Sequence, residues 1–234
     1  MKNLQKSEHR LDSAKLELHS IFKTIQGEGP FSGTPCTFIR LAGCNLQCPN
    51  CDTDYTSKRV SVTPEFILSI LKTIRKDGLV VITGGEPFRQ YLSSLIGLLT
   101  KSGYYVQIET NGTIVPSDIF WSKNTSARSG AYLVCSPKTQ SINEHIEVEA
   151  CAFKYVLNHK YYDVTDGLPN SVLGFPTKLK VARPSKAFTG LIYLQPEDSY
   201  DIEENVKNKE AVVKSCLQHD YILNLQIHKL IGVE

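Results

Sequence analysis

No apolar run in this chain of 234 residues approaches the roughly 18 residues that span a bilayer, which argues against a membrane protein. Residues 1–15 are polar and mixed in charge, without the apolar stretch of a secretory signal, so we read them as an N-terminal extension. An excess of one charge is also lacking: 26 Lys and Arg against 24 Asp and Glu leave +2. Lys58-Arg59 and Arg75-Lys76 read as solvated surface rather than a phosphate-tracking stripe, and nucleic acid is not an expected partner. No internal repeat or low-complexity linker divides the chain, and 41% hydrophobic with 21% charged residues is ordinary for a soluble globular protein. Residues 16–234 are expected to form a single domain with a sizeable core.

Cysteine is present, but not as a disulfide framework. The count is odd, at 7, with three on one loop, which suits a reducing compartment, and we expect the cytoplasm. Cys36, Cys135, Cys151 and Cys216 sit mostly in apolar surroundings and read as small buried hydrophobes. Cys44, Cys48 and Cys51, in Gly43-Cys44-Asn45-Leu46-Gln47-Cys48-Pro49-Asn50-Cys51-Asp52-Thr53, have the spacing C-x3-C-x2-C, and no second ligand pair exists. Structural zinc is usually held by two separated pairs. A cubane 4Fe-4S cluster normally takes four thiolates, so three leave one iron open for chemistry. Zinc, or a closed cluster completed by Cys36, stays as the alternative.

Thr37 to Leu41 is a β-branched and aromatic run that ends in the cysteine loop. Thr63-Pro64-Glu65 starts a helix with a capping hydroxyl, proline at the first position and an early carboxylate; Ile67, Ile70, Leu71 and Ile74 follow on one face. Leu79 to Thr83 is a second strand running into Gly84-Gly85-Glu86-Pro87, and the next helix puts Tyr91, Leu92, Leu95, Ile96 and Leu99 inward. Tyr104 to Thr110, Ala131 to Cys135, Ala152 to Leu157 and Leu191 to Leu194 complete six strands. Between residues 158 and 190 no helical period appears, and Tyr200 to His219 returns to one, with Ile202, Val206, Val212, Val213, Cys216 and Leu217 as apolar members. Strands alternating with helices predict an α/β fold: a mostly parallel sheet in an open partial (β/α)6-type barrel with a reduced-helix second half. The segments after the strands would gather at one rim, where ligands of α/β folds bind. Paired glycines there let backbone approach a ligand, and Glu86 could pair with an amino group.

The three-cysteine loop after one strand and Gly-Gly-Glu-Pro after the next resemble the radical S-adenosylmethionine superfamily over nearly the whole chain. The resemblance implies that the open iron chelates the amino and carboxylate groups of S-adenosylmethionine and that its reductive cleavage yields a deoxyadenosyl radical. Phe22-Lys23-Thr24-Ile25-Gln26-Gly27-Glu28-Gly29, Phe38-Ile39-Arg40, Cys51-Asp52-Thr53 and Gln226-Ile227-His228-Lys229 narrow this to a resemblance to the 7-carboxy-7-deazaguanine synthase family. That family implies a lyase that rearranges 6-carboxy-5,6,7,8-tetrahydropterin to 7-carboxy-7-deazaguanine with loss of ammonia, needs magnesium and feeds queuosine biosynthesis. It also implies a homodimer, and a reducing electron donor such as flavodoxin or ferredoxin.

Carried over by motif, the resemblance places S-adenosylmethionine on Asn50, Asp52, Gly85, Glu86, Ser136, Pro137, Lys138, Gln195, Pro196, Glu197 and Asp198. It places the pterin on Ile25, Gln26, Gly27, Glu28, Arg40, Thr83, His228 and Glu234, and magnesium on Thr53. A carboxylate and backbone groups suit a pterin's donor and acceptor edge, and a guanidinium suits its carboxylate. Glu109, before Asn-Gly, could join the cofactor or cap the turn. The nearest enzymic rival is a glycyl-radical activating enzyme, which shares the cysteine spacing; the rival from another class is a non-catalytic zinc or iron–sulfur module.

Overall fold

The computed structural model describes residues 13–116, 121–174 and 180–233. Of the expected N-terminal extension, residues 1–12 lie outside the described residues. Among those described, the strands are β1 (Leu16–Ile25), β2 (Pro35–Leu41), β3 (Val60–Val62), β4 (Gly78–Gly84), β5 (Tyr104–Thr110), β6 (Ala131–Cys135), β7 (Ala152–Leu157), β8 (Leu191–Pro196) and β9 (Ile222–Leu223). They form one 9-stranded sheet in the order β3-β1-β2-β4-β5-β6-β7-β8-β9. β1 runs antiparallel to β2 and β3, and every neighbouring pair from β2 to β9 is parallel. The ends of the sheet do not pair with each other, so the barrel is open, as expected.

The helices are α1 (Pro64–Ile74), α2 (Ser93–Lys101), α3 (Glu144–Glu149), α4 (Ile202–His219) and α5 (Ile227–Ile231). α1 starts as its sequence predicts: the Thr63 hydroxyl accepts from Phe66 N at 3.3 Å, and Ile67 and Leu71 are buried while Ile70 and Ile74 are only partly so. α2 begins later than expected, because Pro87–Arg89 forms a separate 3-10 turn; Tyr91 therefore lies outside the helix and is exposed rather than inward. α4 splits its apolar members. Val212 and Cys216 pack on the core, whereas Ile202, Val206, Val213 and Leu217 are exposed, close together on the adjoining side at 3.6 residues per turn. No helix occurs among the described residues of 158–190, in line with the missing period. β1, β3, β9, α3 and α5 were not foreseen.

Side chains alternate between the sheet's two faces with a period of two. On the outer face Val80, Ile82, Val106, Ile108, Leu133, Phe153 and Leu194 pack in one core with Leu71, Leu95, Leu99 and Val212 of the helices. On the inner face Cys36, Leu79, Val81, Tyr105, Tyr132, Val134 and Tyr193 form a second core, plugged by Phe31. Phe31 sits edge-on to Tyr105 and Tyr132, with ring centroids 5.5 and 5.0 Å away. Further along the same face, toward the strands' C-terminal ends, the alternation puts Arg40, Thr83, Gln107, Glu109, Lys154 and Gln195. The floor of the half-barrel is apolar and its mouth is polar.

Candidate active site

The mouth holds a cavity of about 270 Å³, bordered by residues from β2 to β8 and by the segment leading into α5. β2 and β4 end level, Leu41 against Gly84, and from there the chain enters the cysteine loop. Gly43 makes the turn at φ +83°, where a Cβ would lie 2.6 Å from the Arg89 guanidinium. A Cβ on Gly84 would lie 2.1 Å from Leu41 O, and one on Gly85 would lie 2.0 Å from Gly43 O. The paired glycines, which also border the cavity, let two backbone segments touch; Glu86 N completes the contact by donating to Gly43 O at 3.0 Å.

Cys44, Cys48 and Cys51 all border the cavity. Cys44 and Cys48 are buried, and burial pushes their thiols up to about 12 and about 11, so binding iron must displace their protons. Cys36 lies at the start of β2, five residues before Leu41, roughly 16 Å of strand away, and its thiol donates to Thr24 O at 3.7 Å. It does not belong to this group. Among the described residues no three His, Cys, Asp or Glu side chains gather round a point that could hold one metal ion. A mononuclear zinc site needs such convergence, whereas thiolates on different irons of a cubane do not. Three thiols on one cavity wall and a remote fourth fit a cluster with one open iron.

Of the residues expected to hold S-adenosylmethionine, Asn50, Asp52, Gly85, Ser136, Lys138, Gln195, Pro196 and Asp198 border the cavity. Glu86, Pro137 and Glu197 do not. The Glu86 carboxylate is fully buried and accepts from Phe88 N (3.0 Å), Asn111 N (2.7 Å) and the Thr110 hydroxyl (2.8 Å). Burial, against these donors, pushes it up to about 7. Its side chain thus ties the loop after β4 to the loop after β5 instead of facing a ligand's amino group. Glu197 stands behind the wall and accepts from Asn50 Nδ2 at 3.3 Å. Burial lowers Lys138 from the ordinary lysine range, and its ammonium donates to Ser136 O at 2.8 Å.

Of the residues expected to hold the pterin, Gln26, Glu28, Arg40, Thr83 and His228 border the cavity. Ile25 and Gly27 do not; a Cβ on Gly27 would lie 1.9 Å from His228 Nδ1, so Gly27 makes room for that ring. His228 stands on α5. Arg40 lies over the Phe22 ring, 5.1 Å from its centroid. Thr53, the magnesium candidate, borders the cavity and its hydroxyl approaches Asp52 Oδ1 at 3.4 Å. Glu234 lies outside the described residues.

Lys154, Gln226 and Lys229 were assigned no ligand in the sequence reading. Lys154, buried on β7, pairs with Glu28 and reaches Glu109 Oε2 at 3.4 Å. Gln226 donates to Glu28 Oε1 at 2.7 Å, and Lys229 bridges Asp52 and Asp198 at 3.1 and 3.3 Å. Burial works against ionising Glu28, but Lys154 and the amide of Gln226 outweigh it and hold the carboxyl below the usual range. A single local sign pointed to Lys154: it is a charge at an alternate position of the apolar run Ala152-Phe153-Lys154-Tyr155-Val156-Leu157.

Residues 38–120 match the profile of the Radical SAM superfamily. A 7-carboxy-7-deazaguanine synthase of Rhodospirillum rubrum is 35% identical over 230 residues, covering 95% of this chain and 94% of its own. The chain belongs to the 7-carboxy-7-deazaguanine synthase family. Its member from Rickettsia prowazekii is 35% identical over 240 residues, with 95% and 91% covered. The crystal structure of QueE from Escherichia coli is similar in fold, with a TM-score of 0.64 at 23% identity over 90% of this chain and 93% of that one. Family membership accords with the open, partial-barrel sheet and with the three-thiol loop at its mouth.

Proposed function

We propose that the protein is a radical S-adenosylmethionine lyase that converts 6-carboxy-5,6,7,8-tetrahydropterin to 7-carboxy-7-deazaguanine with release of ammonia. The observation that carries this reading is that the three thiols, Glu28 and Arg40 border one cavity in a chain of this family. Cys44, Cys48 and Cys51 would hold the cluster. The cluster and S-adenosylmethionine, when bound, supply the carbon radical that takes a hydrogen atom from the substrate. Asn50 and Asp52, on the cysteine loop, and Ser136, Lys138, Gln195 and Asp198, after or at the ends of later strands, would orient the cofactor in the same mouth. Glu28, kept ionised, accepts from the N–H edge of the pterin, while the Arg40 guanidinium answers its carboxylate. Thr53 would give magnesium one protein oxygen, leaving the rest of its octahedron to water and substrate, as this cation commonly requires.

The reading extends to cytoplasmic location, a flavodoxin or ferredoxin as electron donor, and a homodimer. Support for the last is the exposed stripe Ile202, Val206, Val213 and Leu217 on α4. Light scattering of the holoenzyme tests it: Leu217→Asp should shift a dimer toward monomer, and a wild-type monomer would refute it. The activity is tested by anaerobic reconstitution with iron and sulfide, then incubation with the pterin, magnesium, reductant and S-adenosylmethionine. Formation of 7-carboxy-7-deazaguanine is expected. Its absence from protein with a full cluster would overturn the substrate assignment, and glycine-radical formation on an added protein would favour the activating-enzyme reading.

A further inference from the structure

Besides the half-exposed Lys229 bridge, the polar mouth contains a buried ammonium between two carboxylates. Lys154 reaches inward from β7, with Glu28 on one side and Glu109 on the other. Glu109 is pinned: its Oε1 accepts from Gln26 Nε2 at 3.0 Å and from Gln107 Nε2 at 2.8 Å. Glu28 has the same number of partners. Its Oε1 accepts from Gln226 at 2.7 Å and from Gln195 at 3.4 Å, and its Oε2 takes Lys154. An ionised carboxylate offers about four acceptor positions, so one is spare and two more are held by neutral amides that a substrate can replace.

We propose that Lys154 is a positioning residue: paired with Glu28 and within reach of Glu109, it holds Glu28 as an acceptor-only carboxylate, so that the site selects a substrate presenting adjacent N–H donors. The inference rests on the pterin reading above and deepens it. Without the ammonium, desolvation would govern Glu28 and favour its neutral form, which presents an O–H where the substrate presents an N–H. The charged or titratable groups around the pair are Glu109 on β5, His228 on α5 and Lys138 after β6. A protonated His228 favours the Glu28 anion, and Lys138 repels Lys154; neither bridges the two carboxylates.

The test is an infrared titration of the holoenzyme labelled with carboxyl-¹³C glutamate, with the Glu28 band identified by its loss in Glu28→Gln. Anaerobic calorimetry with the pterin, S-adenosylmethionine and magnesium supplies the second readout. Wild type should show no protonated Glu28 band at about pH 6, and its Kd should agree within about twofold between about pH 6 and pH 8. Lys154→Met should show that band at about pH 6, losing it toward pH 8, with Kd more than about tenfold weaker at the acid end. Lys154→Arg should restore the wild-type pattern, and Lys154→Gln should repeat the Met result should the Met variant not fold. An absent band in both neutral variants, or an equal Kd loss at both pH values, would overturn the proposal. A wild-type enzyme that fails to bind the pterin would remove the substrate reading, while the infrared band would still decide what Lys154 does.

Discussion

The two faces of the central sheet are made by the same strands, yet they do different work. On β7 the outward residues Phe153, Tyr155 and Leu157 belong to the helix-covered core, whereas Lys154, one step along, turns into the mouth and meets Glu28 and Glu109. On β5 Val106 and Ile108 face the helices, while Tyr105, Gln107 and Glu109 run from the apolar floor to the polar mouth. Strand periodicity therefore separates stability from chemistry within single strands. The inner face can be polar because its charges are paired and the cavity gives them access to solvent.

The strongest way to break this contrast is at the rim. Cys48→Ala should abolish turnover, by more than about three orders of magnitude, and leave cluster content well below one per chain by iron and sulfide assay. Cys36→Ala, on the apolar floor, should retain the cluster. On the outer face, Ile82→Ala should cost about 2–5 kcal/mol in urea unfolding while KM for the pterin stays unchanged. A smaller effect is expected from pH. Glu86 holds its proton in the folded state up to about 7, whereas the unfolded carboxyl loses it near 4.5. Its contribution is therefore full below the unfolded value and is lost as pH rises toward 7, by up to about 3 kcal/mol. Glu86→Gln in cluster-free protein should flatten that part of the stability profile, and an unchanged slope would contradict the assignment. The smallest effect belongs to the half-exposed Lys229 bridge: Lys229→Ala should change stability by less than about 1 kcal/mol in thermal melts.

The parallel strands were legible because each is a short apolar run closed by turn residues; the bounds of β5, β6 and β7 match those read from sequence. β1 was not, since Leu16–Ile25 mixes Glu17, His19, Ser20 and Lys23 with its apolar residues and lies antiparallel near the sheet edge. α4 showed its period but not its orientation, because its apolar residues form one broad arc of which only the Val212 and Cys216 edge packs against the sheet. At the site, local spacing revealed the cysteine loop. The Lys154–Glu28 pair joins residues 126 positions apart and Gln226–Glu28 joins residues 198 apart, so no local pattern could disclose them. Glu86 was legible as a motif but not as a tie between loops, since its partners arrive from β5.

The division between the faces is tested most directly by two neighbours on β7, Phe153 and Lys154, replaced separately by Ala and Met. For each holoenzyme the paired measurement is the unfolding free energy and the KM for the pterin at about pH 6. Phe153→Ala should lose about 3–5 kcal/mol and keep its KM. Lys154→Met should lose less, because at this pH Glu28 can take up a proton rather than stand as an unpaired buried anion, yet its KM should rise by more than about tenfold. The reverse pattern, with KM altered in Phe153→Ala and untouched in Lys154→Met, would contradict it.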